Sequence, residues 1–238
     1  QDQMAAIERA LRAGASDFFI KPVDDYGQIR RSIDQCLTSN AHQSQQLELM
    51  EHIDFFRAHD LASSRLLAWL APPGMQEWGP WQVTFAGMGN LFIPDTFKLG
   101  DKLLVLVMEL PILGVDAAFC GALVRSLMNG PYRQFQQQEN QLLTQPHRLL
   151  DYLNLQLLES GLRHSFAMAA LLFDQEDGLV FANAGLTSPH WLMRSGGLPL
   201  GLMRSSRYGL HKRSWHEPFE LQFRSDSGSA LKMQVRHH

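Results

Sequence analysis

LLVLVMELPILGVDAA, Leu103 to Ala118, opens with six consecutive apolar residues, Leu103–Met108. A run of that kind marks a strand buried on both faces. Glu109 stands alone at the end of the strand, a tight Pro111–Gly114 segment follows, and a helix rich in small residues starts at Asp116. In layered folds of strands and helices, chemistry gathers where a buried strand gives way to a helix. Glu109 and the loop behind it are therefore the first place to look for a site.

The composition sets outer limits. With 238 residues, 45% of them apolar, the chain can bury a sizeable core and hold more than one domain. A net charge of −3 gives no polyanion-binding signature, so nucleic acid is not an expected partner. No apolar run is long enough to span a bilayer and no signal peptide opens the sequence, so no membrane partner is expected. Cys36 and Cys120 fall within apolar helical patterns, which suits reduced thiols in the cytoplasm. The sequence begins at Gln1 inside a helical pattern and reads as truncated, and His237-His238 reads as a native end or the stub of a tag.

Outward from the central stretch, the rest of the chain alternates in type. Trp81–Ala86 predicts a strand, and Phe97 lies beside a Leu99–Lys102 turn leading into the buried run. A helix is expected over Asp116–Asn129, a Gln-rich exposed segment over Tyr132–Gln145, and a second helix on the stripe Leu149, Leu150, Leu153, Leu157. Strands are expected at Phe166–Phe173 and Leu179–Ala184 about a Gln175–Gly178 turn, then at His190–Arg194, Phe219–Arg224 and Leu231–Val235. Helices bracketed by antiparallel hairpins indicate an α+β layered β-sandwich flanked by helices.

The N-terminal part has its own pattern. Met4, Ile7 and Leu11 share a helix face, Asp17–Ile20 reads as a short buried strand, Lys21-Pro22 follows, and Ile29, Ile33, Cys36 and Leu37 mark a second helix. ALRAGASDFFIKPVDD resembles the last part of a bacterial response-regulator receiver domain (CheY-like), placed here at residues 1–37. The resemblance implies that Lys21 is the lysine that pairs with the phosphorylated aspartate and that Pro22 follows it through a bond that is often cis. A flexible ammonium suits a phosphoryl group that comes and goes. The receiver strands that would carry the aspartate are not in this sequence. Residues 38–70 read as a segmented helical linker, broken at about Ala58, His59 and Asp60, where Asp60 suits an N-cap and the break suits a hinge.

Residues 71–238 resemble the PP2C-like (PPM, SpoIIE-type) metal-dependent phosphatases. The landmarks are Leu67–Pro73 as an entry helix ending in proline, Phe181-Ala182-Asn183-Ala184-Gly185, and Leu198-Pro199-Leu200-Gly201. The catalytic signature departs from that family. Where the family has Gly-Gly-Asp-Phe the chain has Gly89-Asn90-Leu91-Phe92, with leucine at a metal position. Where it has Asp-x-x-Gly-His-Gly the chain has Glu109-Leu110-Pro111-Ile112-Leu113-Gly114, and its Thr-Asp-Gly appears as Ser225-Asp226-Ser227-Gly228. Magnesium and manganese need oxygen ligands. The expectation is a phosphatase fold with no catalytic residues, no metal and no cofactor, in which Leu91, Glu109 and Asp226 are degenerate remnants.

No nucleophile elbow, P-loop, Cys-x-x-Cys pair or His-Glu-x-x-His replaces the missing signature. His52 and His59 have no third ligand nearby, and Arg204, Arg207, His211, Lys212 and Arg213 form a basic cluster that reads as a solvated loop or a meeting point for an acidic partner. Receiver, helical linker and degenerate phosphatase domain together resemble the RssB-type response regulators. That resemblance implies a non-enzymatic adaptor that binds the stationary-phase sigma factor (sigma S), delivers it to the ClpX unfoldase of the ClpXP protease, and is opposed by anti-adaptor proteins; a homodimer stays open. An active receiver-controlled manganese- or magnesium-dependent phosphatase is the alternative. Leu110, Pro111, Ile112 and Leu113 would form an apolar contact patch if exposed.

Overall fold

Every side chain from Leu103 to Met108 is buried, and strand pairing explains why. In the computed structural model, which describes residues 74–88, 91–110, 115–160, 164–176 and 178–238, the run forms β4 (Lys102–Glu109). β4 lies between β3 (Phe92–Leu99) and β5 (Ala167–Asp174), antiparallel to both. The sheet continues through β6 (Gly178–Ala184) to β7 (His211–Arg213), in the order β3-β4-β5-β6-β7. A second antiparallel sheet joins β1 (Gly74–Trp78), β2 (Trp81–Met88), β8 (Phe219–Arg224) and β9 (Ala230–His237), in the order β1-β2-β9-β8.

The sheets stack face to face. Trp81, Val83 and Phe85 of β2, Phe219, Leu221 and Phe223 of β8, and Leu231, Met233 and Val235 of β9 share one core with Leu103, Val105 and Val107 of β4 and Ala169, Leu171 and Phe173 of β5. Trp81 anchors it: the side chain is fully buried, its Nε1–H donates to the Asp101 carbonyl at 2.8 Å, and its rings meet Phe173, Trp215 and His237. The alternate residues of β4, Leu104, Leu106 and Met108, are buried on the opposite face, together with Met168, Ala170 and Leu172 of β5. That face is covered by α1 (Val115–Gln136), which packs on β3, and by α2 (Pro146–Glu159), which packs on β5 and β6. β4, β5 and β6 are thus buried on both sides and read as apolar runs, whereas β8 alternates buried and exposed residues because its outer face meets solvent. The domain is the α+β layered sandwich flanked by helices that the sequence indicates.

Several elements differ from expectation. β1, β3 and β7 carry no clear alternating signal, and Pro94 sits inside β3. An edge strand tolerates that proline, since its missing N–H is not needed by a neighbour on the open side. α1 runs past Gly130-Pro131 to Gln136, where Tyr132 packs on Phe97. His190–Arg194 is not a strand: His190–Met193 is a short helix, α3, which starts directly after Pro189 and turns Leu192 inward. His237 is part of β9, paired with Trp81, and so belongs to the fold. The segment 1–37 expected to resemble a receiver, with Lys21, Pro22 and Cys36, and the expected linker with Ala58, His59 and Asp60 lie outside the described residues, as do Pro111, Ile112 and Leu113. All described residues belong to one of the two compact units into which the chain divides.

Candidate functional site

The ends of the central strands build a cleft. β4 ends at Glu109, and the next residue is tied to the approach to β3, the Leu110 N–H donating to the Leu91 carbonyl at 2.7 Å. Across from it, Phe166, just before β5, exchanges backbone hydrogen bonds with Leu200 at 3.2 and 2.9 Å. The β8–β9 turn closes a third side, with the Ser225 N–H donating to the Ser229 carbonyl at 2.9 Å. These ends enclose a cavity of about 640 Å³ lined by Leu91, Glu109, Leu110, Ser165, Phe166, Ala167, Pro199, Ser225, Asp226 and Ser227. Leu91, Glu109 and Asp226, far apart in sequence, therefore line one cleft.

Its electrostatics follow from that wall. Burial raises the Glu109 pKa above its ordinary value, and the Asp226 charge raises it further. Nothing else in the described lining is acidic, and no group of three or more His, Cys, Asp or Glu able to hold a metal occurs among the described residues. Leu91 is 7% exposed and supplies only methyl groups to the cleft wall. Two carboxylates and serine hydroxyls beside an apolar wall do not fit a pair of divalent ions.

Leu110 corrects one expectation. It is 1% exposed, so its side chain forms part of the cleft wall and does not lie on an outer contact patch. The physical reason is its backbone bond to Leu91, which turns the residue back into the fold.

The landmarks shared with the phosphatases perform structural work here. Asn183 is buried; its Nδ2 donates to the Leu186 and Leu192 carbonyls at 3.0 and 2.8 Å, and its Oδ1 accepts from the Leu186 N–H at 3.0 Å. Gly185, at φ +85°, lies so close to Pro199 that an added Cβ would fall 2.9 Å from the proline Cγ. The Gly185 and Leu198–Gly201 landmarks thus pack against one another, and Pro199 lines the cleft. Asn154 of α2, fully buried, accepts from the Gly201 N–H and donates to the Met203 carbonyl, both at 2.9 Å. Sequence reading missed Asn154. The signal was present, since an asparagine four residues after Leu150 and next to Leu153 lies on the apolar face of its helix.

Comparison with known proteins adds a sequence similarity. Proteins described as "Regulator of RpoS" from Escherichia coli strain K12, Escherichia coli O157:H7 and Shigella flexneri are each 26% identical to the chain over 216 residues. The chain is similar to the regulators of RpoS. The matched region covers 85% of the chain and 64% of these relatives, so the chain spans less than two thirds of their length. No protein-family model matches. Among solved structures, the RsbU and RsbW domains of Rv1364c from Mycobacterium tuberculosis give a TM-score of 0.48 at 12% identity, covering 66% of this chain and 61% of that one. RsbX in complex with magnesium gives 0.43 at 10% identity, covering 69% of this chain and 98% of that one.

Proposed function

We propose that the chain is a response-regulator adaptor that binds the sigma factor RpoS (sigma S) and delivers it to the ClpXP protease, using a phosphatase-like sandwich without phosphatase chemistry. The similarity to the regulators of RpoS supports the sigma-factor half of this reading. The observation that carries the non-enzymatic half is Leu91, a buried leucine beside Glu109 and Asp226 in a cleft with no third metal-binding group among its described lining residues. On this reading Lys21 and Pro22 belong to the receiver's signalling surface and Ala58–Asp60 to the hinge of the linker. Pro111, Ile112 and Leu113 remain candidates for an apolar partner contact, and anti-adaptor proteins and a second copy of the chain are further expected partners.

The test is retention of purified sigma S by the immobilised full chain, followed by ClpXP degradation of sigma S with and without it. Retention and faster degradation are expected. No retention overturns the adaptor reading. The pairing of Glu109 with Asp226 favours one competing reading, a manganese-dependent phosphatase. Turnover of p-nitrophenyl phosphate with manganese, lost in Glu109→Ala, would establish that reading instead.

A further inference from the structure

From Gly178 to His216 the sequence contains no Asp or Glu, while Arg194, Arg204, Arg207, Lys212 and Arg213 fall within that span and are all exposed. The same span carries most of the exposed large apolar side chains among the described residues: Met193, Leu198, Leu202, Met203 and Leu210, between 44% and 51% exposed. Outside it that group has one member, Met75. Cationic and apolar exposure are thus concentrated on a single loop system.

The loop is also held in shape. Asn183 grips its start through the Leu192 carbonyl, and Asn154 grips its middle through Gly201 and Met203. Asp151 accepts from the Tyr208 N–H at 3.2 Å. The Tyr208 ring lies against Gly197, where an added Cβ would come within 3.3 Å of it, and the Arg213 guanidinium sits 4.8 Å over the Trp191 ring. These contacts bring α3, the 197–210 segment and β7 side by side. Two buried asparagines are thus committed to fixing a surface whose outer side chains are apolar and cationic. A solvated loop requires neither the anchors nor the exposed leucines and methionines.

We propose that the Met193–Arg213 surface is a docking site for an acidic amphipathic protein segment, its apolar side chains meeting Leu198, Leu202 and Met203 and its carboxylates meeting Arg194 and Arg207. Charge complementarity selects that partner: the span is entirely free of carboxylates in a chain whose net charge is −3, so a basic segment is not attracted and an acidic one is. Fixed loop geometry lowers the ordering cost of docking. The inference deepens the adaptor reading by giving it a surface and a partner chemistry.

The experiment uses the full chain and two labelled synthetic helical peptides, identical in their leucine face but carrying Glu in one and Lys in the other, with binding read by fluorescence anisotropy. Binding of the Glu peptide at least about tenfold tighter than the Lys peptide, and weakening with salt, is expected. Arg194→Glu with Arg207→Glu should remove that preference, and Leu202→Ser should weaken both peptides, each at an unchanged thermal midpoint. Equal binding of the two peptides, or unchanged binding in the variants, overturns the proposal. So does tight binding to phosphatidylglycerol vesicles without binding to the Glu peptide. If the Glu peptide binds as expected and sigma S is not retained, the sigma-factor reading falls and the docking surface stands.

Discussion

Glu109 and Asp226 repel each other across the cleft. Because Glu109 titrates higher in the fold than in the unfolded chain, its protonated form favours folding. Its contribution is complete at pH values below the ordinary carboxylate range and is lost as pH rises through the raised folded-state value. Glu109→Gln fixes the neutral form, so its stability should match the wild type at pH 4 and exceed it at pH 8, by less than about 1 kcal/mol because the site is half open to solvent, a difference read as a higher thermal midpoint at pH 8. A lower midpoint than wild type at pH 8 would mean that the charged carboxylate has a stabilising partner. Leu91→Asp adds a third carboxylate and should cost roughly 2–4 kcal/mol, with manganese restoring part of the loss while leaving the wild-type midpoint in place. A wild-type midpoint that rises with manganese would contradict the mismatch of donors. Asn183→Ala should cost roughly 2–4 kcal/mol in urea unfolding, since it leaves buried backbone groups at Leu186 and Leu192 unpaired. At this scale the sequence was informative wherever a motif could be aligned. Leu91, Glu109 and Asp226 were found that way, whereas Asp151 and Asn154 were missed because their partners, Tyr208, Gly201 and Met203, lie some fifty residues away. Leu110 was misread because a short backbone bond, invisible in the pattern, turns it inward.

Elements were legible in proportion to how fully their surroundings constrain them. β4, β5 and β6 are sandwiched between a second sheet and two helices, so their sequences are unbroken apolar runs that could hardly be anything else. β8 and β9 face solvent on one side and show it by alternation. β3 was hidden by Pro94 and Asp95. Its edge position tolerates the proline, and both carboxylate oxygens of Asp95 accept from Nε and Nη2 of Arg125, at 3.0 and 3.1 Å, which also fastens α1 to the strand. The helix α3 was mistaken for a strand because four residues are too few for either periodicity to show. α1 was expected over Asp116–Asn129, yet the helix continues through Pro131; the cost of the missing N–H is offset in part by the Tyr132–Phe97 contact beyond it. The contrast between inner and outer strands can be measured. Leu171→Ala on β5 should destabilise by about 2–5 kcal/mol, whereas Gln222→Ala on β8 should stay within about 0.5 kcal/mol of wild type. Similar costs at both positions would mean that the outer face of β8 is covered.

Across the described residues, a single core ties both sheets together. Both sheets contribute to the apolar layer between them, and α1 and α2 cover the far side of the inner sheet. A core shared by β2, β4, β5, β8 and β9 joins strands from the start, middle and end of the domain, so none of these strands can leave without exposing the others. Residues 71–238 alone should therefore unfold in urea in one cooperative transition. Trp81 and Trp215, whose rings meet Phe173 at the inter-sheet core, report tertiary packing through fluorescence, and circular dichroism at 222 nm reports the helices and sheets. Coincident midpoints from the two probes are the expected result. Separated midpoints would show that the helices hold on after the sandwich opens, and that the core depends on residues upstream of the fragment. The outcome also bears on function: if the fragment folds alone and still retains sigma S, recognition lies in the sandwich and its Met193–Arg213 surface, and the receiver and linker are left to tune it.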